Sequence, residues 1–179
     1  MGIVKKILIA IGILIAIPLV LAIFTKKDYS ITEEITINKP KIEVFEYIKH
    51  LKNQNEYSKW AMIDPDMEKT FKGTDGTVGF VSAWKSDNED VGVGEQEIIA
   101  IEDGKRIDFE LRFFVPFESN DLAYMTTESI TDVKTKVKWG FNGKMDYPMN
   151  LMLLFMDFEG MIGDDLSTGL NNLKQKLEN

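Results

Sequence analysis

The sequence predicts an α+β protein: a curved antiparallel sheet of about seven strands around one long C-terminal helix, preceded by one N-terminal transmembrane helix. Three observations predict it. Ile7 to Phe24 is an uncharged apolar run. From Met67 to Phe141, short alternating segments follow one another with turn residues between them. From Pro148 to Leu177, apolar residues recur in steps of three and four, at Leu151, Phe155, Phe158, Ile162, Leu166, Leu170, Leu173 and Leu177. That stripe predicts a helix of about eight turns.

Composition narrows the function classes. The chain has 179 residues and a net charge of -8. Residues 1–27 hold four of the 21 basic residues and none of the 29 acidic ones, which leaves the remainder at -12. About 150 residues follow the first segment, a common size for one domain. An acidic domain repels phosphate backbones, which argues against nucleic acid as a partner. There is no cysteine, so disulfides, thiolate catalysis and cysteine-ligated zinc are excluded. The single histidine, His50, excludes a multi-histidine metal site.

The apolar run Ile7–Phe24 is flanked by Lys5-Lys6 and Lys26-Lys27. Its 18 residues span roughly 27 Å as a helix, enough for a thin hydrocarbon core. The run reads as a membrane anchor within a 1–27 segment, followed by a domain over 28–179. A cleaved signal peptide, with Val20-Leu21-Ala22 as the small-residue site, is the competing reading, and a secreted domain would follow from it. A slight excess of positive charge before the run places the domain outside the cytoplasm.

The elements follow in order. Tyr29 to Asn38 alternates, with Tyr29, Ile31, Ile35 and Ile37 on one face, and predicts a half-buried strand. Glu33 breaks that face and reads as an edge position whose carboxylate reaches water. Pro40 opens a short helix with Ile42, Val44, Phe45 and Ile48 on its apolar side. A second short helical or irregular piece covers Asn53 to Trp60, with His50 at the junction as a surface residue. Six strands follow: Glu68–Lys72, Phe80–Ser86, Glu95–Ile101, Ile107–Val115, Leu122–Ile130 and Val133–Phe141. The Asp103-Gly104 turn is the strongest hairpin signal among them. Lys134, Lys136 and Lys138 mark one sheet face as solvated, while the opposite face is aromatic. The C-terminal helix is the one element large enough to cover it, and a twisted sheet around a helix leaves concave space between them.

Residues 29–177 resemble the START-related SRPBCC superfamily, in particular its polyketide cyclase/dehydrase-like branch. The resemblance rests on Trp60 with Asp64-Pro65; Gly73 and Gly79 with Trp84; Gly92-Val93-Gly94-Glu95; and Arg106-Ile107. It continues through Val115-Pro116-Phe117, Val137-Lys138-Trp139, Asn142-Gly143, and Asp157 through Gly163-Asp164 to Gly169-Leu170-Asn171-Asn172-Leu173-Lys174. It implies a helix-grip fold with a deep apolar cavity, and ligands such as lipids, sterols, polyketides or aromatic compounds.

No nucleophile-base pair and no phosphate-binding loop stands out, and no cofactor is expected. Gly73, Gly76 and Gly79 read as turn geometry. Glu95 and Glu97 share a strand face, as a solvent pair or as an acid and base. Asp157 reads as a solvated position on the long helix or as a contact to a ligand head group. The cavity-wall candidates are Trp60, Phe80, Trp84, Glu97, Phe113, Tyr124, Trp139, Met152, Phe155, Met156 and Met161. Methionine adapts to irregular apolar surfaces, and the aromatics supply area; core filling is the competing role for each. The function expected is a membrane-anchored binding domain for a hydrophobic small molecule or lipid. A cyclase/dehydratase-like enzyme, with Glu97 or Tyr124 moving a proton, and a partner-binding module at the membrane are the alternatives.

Overall fold

The computed structural model describes residues 2–179. Helix α1 covers Ile3–Phe24 and strand β1 covers Asp28–Ile37. Three short helices follow, α2 at Lys41–Lys49, α3 at Leu51–Gln54 and α4 at Lys59–Ile63. Strands β2 (Glu68–Lys72), β3 (Val81–Lys85), β4 (Val93–Glu102), β5 (Arg106–Val115), β6 (Ser119–Thr131) and β7 (Lys134–Lys144) make the meander. A 3-10 helix at Met149–Leu154 leads to α5 at Phe158–Glu178.

All strands pair antiparallel in the order β1-β7-β6-β5-β4-β3-β2. Strand β1 leaves the meander to pair with β7 from Asp28↔Lys144 to Ile37↔Thr135. Period-two alternation then sorts the side chains. Ile107 and Phe109 of β5, Ala123 and Met125 of β6, and Val137, Trp139 and Phe141 of β7 are buried on the inner face. Lys136 and Lys138 stand on the outer face, both beside Glu34 of β1. Leu166, Leu170 and Leu173 of α5 close the core, with Val44, Phe45 and Ile48 of α2.

The C-terminal helix differs from the expected single rod over Pro148–Leu177. The chain leaves helical geometry at Phe155–Asp157, and α5 starts anew. The reason is local. Asp157 is the N-cap of α5, its carboxylate accepting the Gly160 N–H at 2.9 Å, and a cap of this type starts a helix at a defined residue. The apolar period runs across the break, because Met149–Leu154 is apolar apart from Asn150 and packs against the end of α1.

Glu33 also differs. Strand β1 is an edge, but the Glu33 side chain turns toward α5 and accepts the Ser167 hydroxyl at 3.0 Å. Gly163 makes room for it: a Cβ there would meet the Glu33 carboxylate at 3.2 Å. His50 sits between α2 and α3, 3.5 Å from Asp75. Asp75 also accepts the Leu51 N–H at 2.8 Å, pinning the helix junction to the β2–β3 turn.

Candidate functional site: an apolar cavity under the sheet

The twist of the sheet and the lean of α5 leave a cavity of about 830 Å³ between them. Strands β5, β6 and β7 supply Leu111, Phe113, Ala123, Trp139 and Phe141; α5 supplies Phe158, Ile162 and Leu166. The short helices give Leu51, Trp60 and Ala61, and the segment after β7 gives Met149 and Met152.

Two tryptophans are fixed by glycines. Trp84 packs edge-on against Phe113, ring centroids 5.9 Å apart at 73°, and donates its indole N–H to the Val91 carbonyl at 3.2 Å. A Cβ on Gly94 would come within 2.6 Å of that indole. Trp139 meets Tyr57 edge-on at 5.7 Å and 71°. A Cβ on Gly169 of α5 would come within 2.7 Å of its ring. These two glycines let helix and strand close on the rings.

The wall is mostly apolar surface, with polar side chains from several elements among it; the buried ones include Asp121 of β6 and Gln96 of β4. Asp121 is buried and accepts the Ser119 hydroxyl at 2.8 Å and the Lys144 N–H at 3.0 Å. Desolvation raises its pKa above the usual carboxylate value, against the two hydrogen bonds. Burial, and then the Asp121 charge, push the Tyr29 phenol up to about 12. Gln96 of β4 is buried on the same inner surface. The site can hold an apolar body and meet one polar group with Asp121 or Gln96.

The structure brings Trp60, Trp84, Phe113, Trp139 and Met152 together on the cavity wall. It puts the other six candidates elsewhere. Phe80 is fully buried behind the wall, stacked on Phe71 with centroids 6.1 Å apart. Glu97 is on the outer face, where Arg112 donates to it at 2.8 Å, to Glu95 at 2.6 Å, and also to Glu110. Tyr124 is outer as well: it shares a 2.8 Å hydrogen bond with Thr32 and lies under the Arg106 guanidinium at 4.1 Å. Neither Glu97 nor Tyr124 borders the cavity. Phe155, Met156 and Met161 are exposed, because the break before α5 turns them away from the sheet.

Sequence reasoning passed over Asp121 and Gln96, although strand parity carries both. Asp121 has the parity of Ala123 and Met125, and Gln96 that of Gly94 and Ile98. A polar residue at inward parity is the signal that finds them.

Solved structures share this architecture. The Aha1 dimer from Colwellia psychrerythraea matches with a TM-score of 0.59 at 13% identity, over 84% of this chain and 96% of that one. Protein MLL2253 from Mesorhizobium loti matches at 0.58 and 18%, over 83% and 96%. CalU16 from Micromonospora echinospora matches at 0.55 and 11%, over 83% and 73%. No family model matches the chain, and no curated protein does. At these identities the likeness establishes the fold, and function rests on the site. A curved seven-stranded antiparallel sheet closed by a C-terminal helix, shared with these structures, gives the chain the helix-grip fold.

Proposed function

We propose that residues 28–179 form a binding domain for a hydrophobic small molecule or lipid, held at a membrane by α1. The observation that carries this reading is the cavity of about 830 Å³, whose wall is mostly aromatic and aliphatic surface with polar side chains among it. Its size lies within the range of small-molecule sites, ~300–1,000 Å³, and its wall matches their composition. Trp60, Trp84, Phe113, Trp139 and Met152 are the contacts proposed for the apolar body.

Retention of α1 is supported by its last turn. Ala22 is wholly buried, and its carbonyl accepts Asn150 Nδ2 at 2.7 Å, so the helix end is part of the folded domain. Its 22 residues are long and apolar enough to cross a bilayer. This reading puts the domain outside the cytoplasm; protease digestion of intact against lysed cells tests that.

The binding experiment is native mass spectrometry of the full chain released from detergent, followed by extraction and identification of what it carries. A stoichiometric lipid or aromatic compound is the expected result. Ala123→Trp and Met152→Trp, which place an indole in the cavity, should reduce the bound fraction. An empty wild-type chain that also takes up no fatty acid, isoprenoid or aromatic probe would sink the proposal.

A further inference from the structure

Every exposed residue on the cavity wall lies at one end of the sheet. Glu89 and Asp90 come from the β3–β4 connection, Val115 to Glu118 and Asn120 from the end of β5 to the start of β6, and Lys144, Asp146, Tyr147 and Met149 from the end of β7 and the chain after it. This is the end at which β1 begins, directly after α1, since Asp28 pairs with Lys144. The cavity therefore opens beside the anchor.

Two apolar lips stand at this end of the molecule, Phe117 on the cavity wall and Leu154 to Met156 in a separate hollow beside Lys26 at the end of α1. Leu154, Phe155 and Met156 are 55%, 78% and 40% exposed, and Phe117 on the β5–β6 turn is 67% exposed. Contiguous exposed apolar groups mark an interaction surface. The contacts with α1 identify the partner. Asn150 Nδ2 donates to the carbonyls of Ala22 at 2.7 Å and Thr25 at 3.0 Å. Lys26 Nζ meets Glu159 at 2.7 Å, and the Met145 N–H donates to the Lys27 carbonyl at 2.9 Å. These bonds fix the segment after β7 to the turn of α1 where its apolar run ends, at Phe24. Where that run leaves hydrocarbon, Leu154 to Met156 beside Lys26 stand at interfacial depth.

We infer that the cavity opens against the bilayer surface, with Phe155 and Phe117 seated among head groups and upper acyl chains, and that the bound molecule passes between bilayer and cavity without crossing water. The inference rests on α1 crossing the membrane, as proposed above. A second copy of the chain fits this face less well. Glu89, Asp90 and Glu118 stand at the opening, where Asp146 is paired with Lys144 at 3.2 Å, and a two-fold contact would bring the other three acids toward their own copies.

The test uses the full chain in phosphatidylcholine vesicles. The protein has no cysteine, so Phe155→Cys, Phe117→Cys, Leu14→Cys and Val133→Cys each carry one environment-sensitive fluorophore. Leu14 lies within α1, and Val133 lies at the far end of the sheet, about 30 Å from Asp28 along β1 at ~3.3 Å per residue. Brominated phosphatidylcholine should quench labels at 14, 155 and 117, while iodide quenches the label at 133. A lipid-quenched label at 14 with iodide-quenched labels at 155 and 117 overturns this inference and leaves the anchor standing. An iodide-quenched label at 14 overturns the anchor and this inference together. Labels at 155 and 117 shielded from both quenchers would mean that two copies pair through the lips, which also overturns it.

Discussion

The Asn150 side-chain amide lies 2.7 Å from the Ala22 carbonyl, 128 residues away in the chain. This buried bond joins the last turn of an apolar helix to the segment that rims the cavity. Helix C-termini leave carbonyls without intrahelical partners; here Ala22 and Thr25 find theirs on one side chain. The Asn150 Oδ1 has no partner among the described residues.

Substitution at Asn150 tests that joint. Asn150→Ala removes both donated bonds and should cost about 1–2 kcal/mol. Asn150→Asp should cost more, because a carboxylate oxygen would then face two carbonyls in a buried site. Urea unfolding of the full chain in detergent, followed by tryptophan emission, measures both. An Asp variant as stable as the Ala variant would contradict the assignment of Nδ2 as the donor.

Gly169 predicts a conflict between helix propensity and packing. Alanine is the better helix former by ~1 kcal/mol. Its Cβ would lie 2.7 Å from the Trp139 ring, and overpacking costs ~1–3 kcal/mol. Gly169→Ala should therefore lower stability or leave it unimproved, and shift Trp139 emission. A clear gain in unfolding midpoint would show that the ring moves freely into the cavity.

Asp121 predicts a pH dependence whose sign follows from its cause. Desolvation raises its folded pKa above the unfolded value of 3.8. The protonated form is thus favoured by folding, and wild-type stability falls as pH rises from 3.8 through the raised folded value. Asp121→Asn keeps an acceptor for the Lys144 N–H and carries no charge. It should be more stable than wild type at pH 7, with the difference vanishing below pH 3.8. A difference that persists undiminished in acid would mean that desolvation is not the cause.

Arg112 separates the outer face from the cavity. It is ion-paired to Glu95, Glu97 and Glu110. Arg112→Met leaves three carboxylates together and should destabilise the domain by about 1 kcal/mol at low salt, less at high salt. Glu97→Gln and Tyr124→Phe should leave ligand occupancy unchanged, because both residues lie across the sheet from the cavity. Loss of binding in either variant, with folding intact, would place the functional site on the outer face.

The sequence by itself determined the element types and their faces. Alternation decides which strand residues point inward, since a pleated strand repeats every two residues whatever its partners. The solvated lysines and the inward Trp139 were therefore legible. So was the apolar α1, because eighteen uncharged residues admit few environments. Only the tertiary structure decided which inward residues face empty space and which face another side chain. Phe80 and Phe113 look alike in sequence, yet Phe71 covers one and the cavity borders the other. It also decided where the last helix begins, because the Asp157 cap outweighs a three-four periodicity that crosses the break unchanged. The joint between Asn150 and α1 depends on a contact across most of the chain. Local pattern carries no information about such a pairing; it exists once β1 has crossed to pair with β7 and brought the helix end to the cavity mouth.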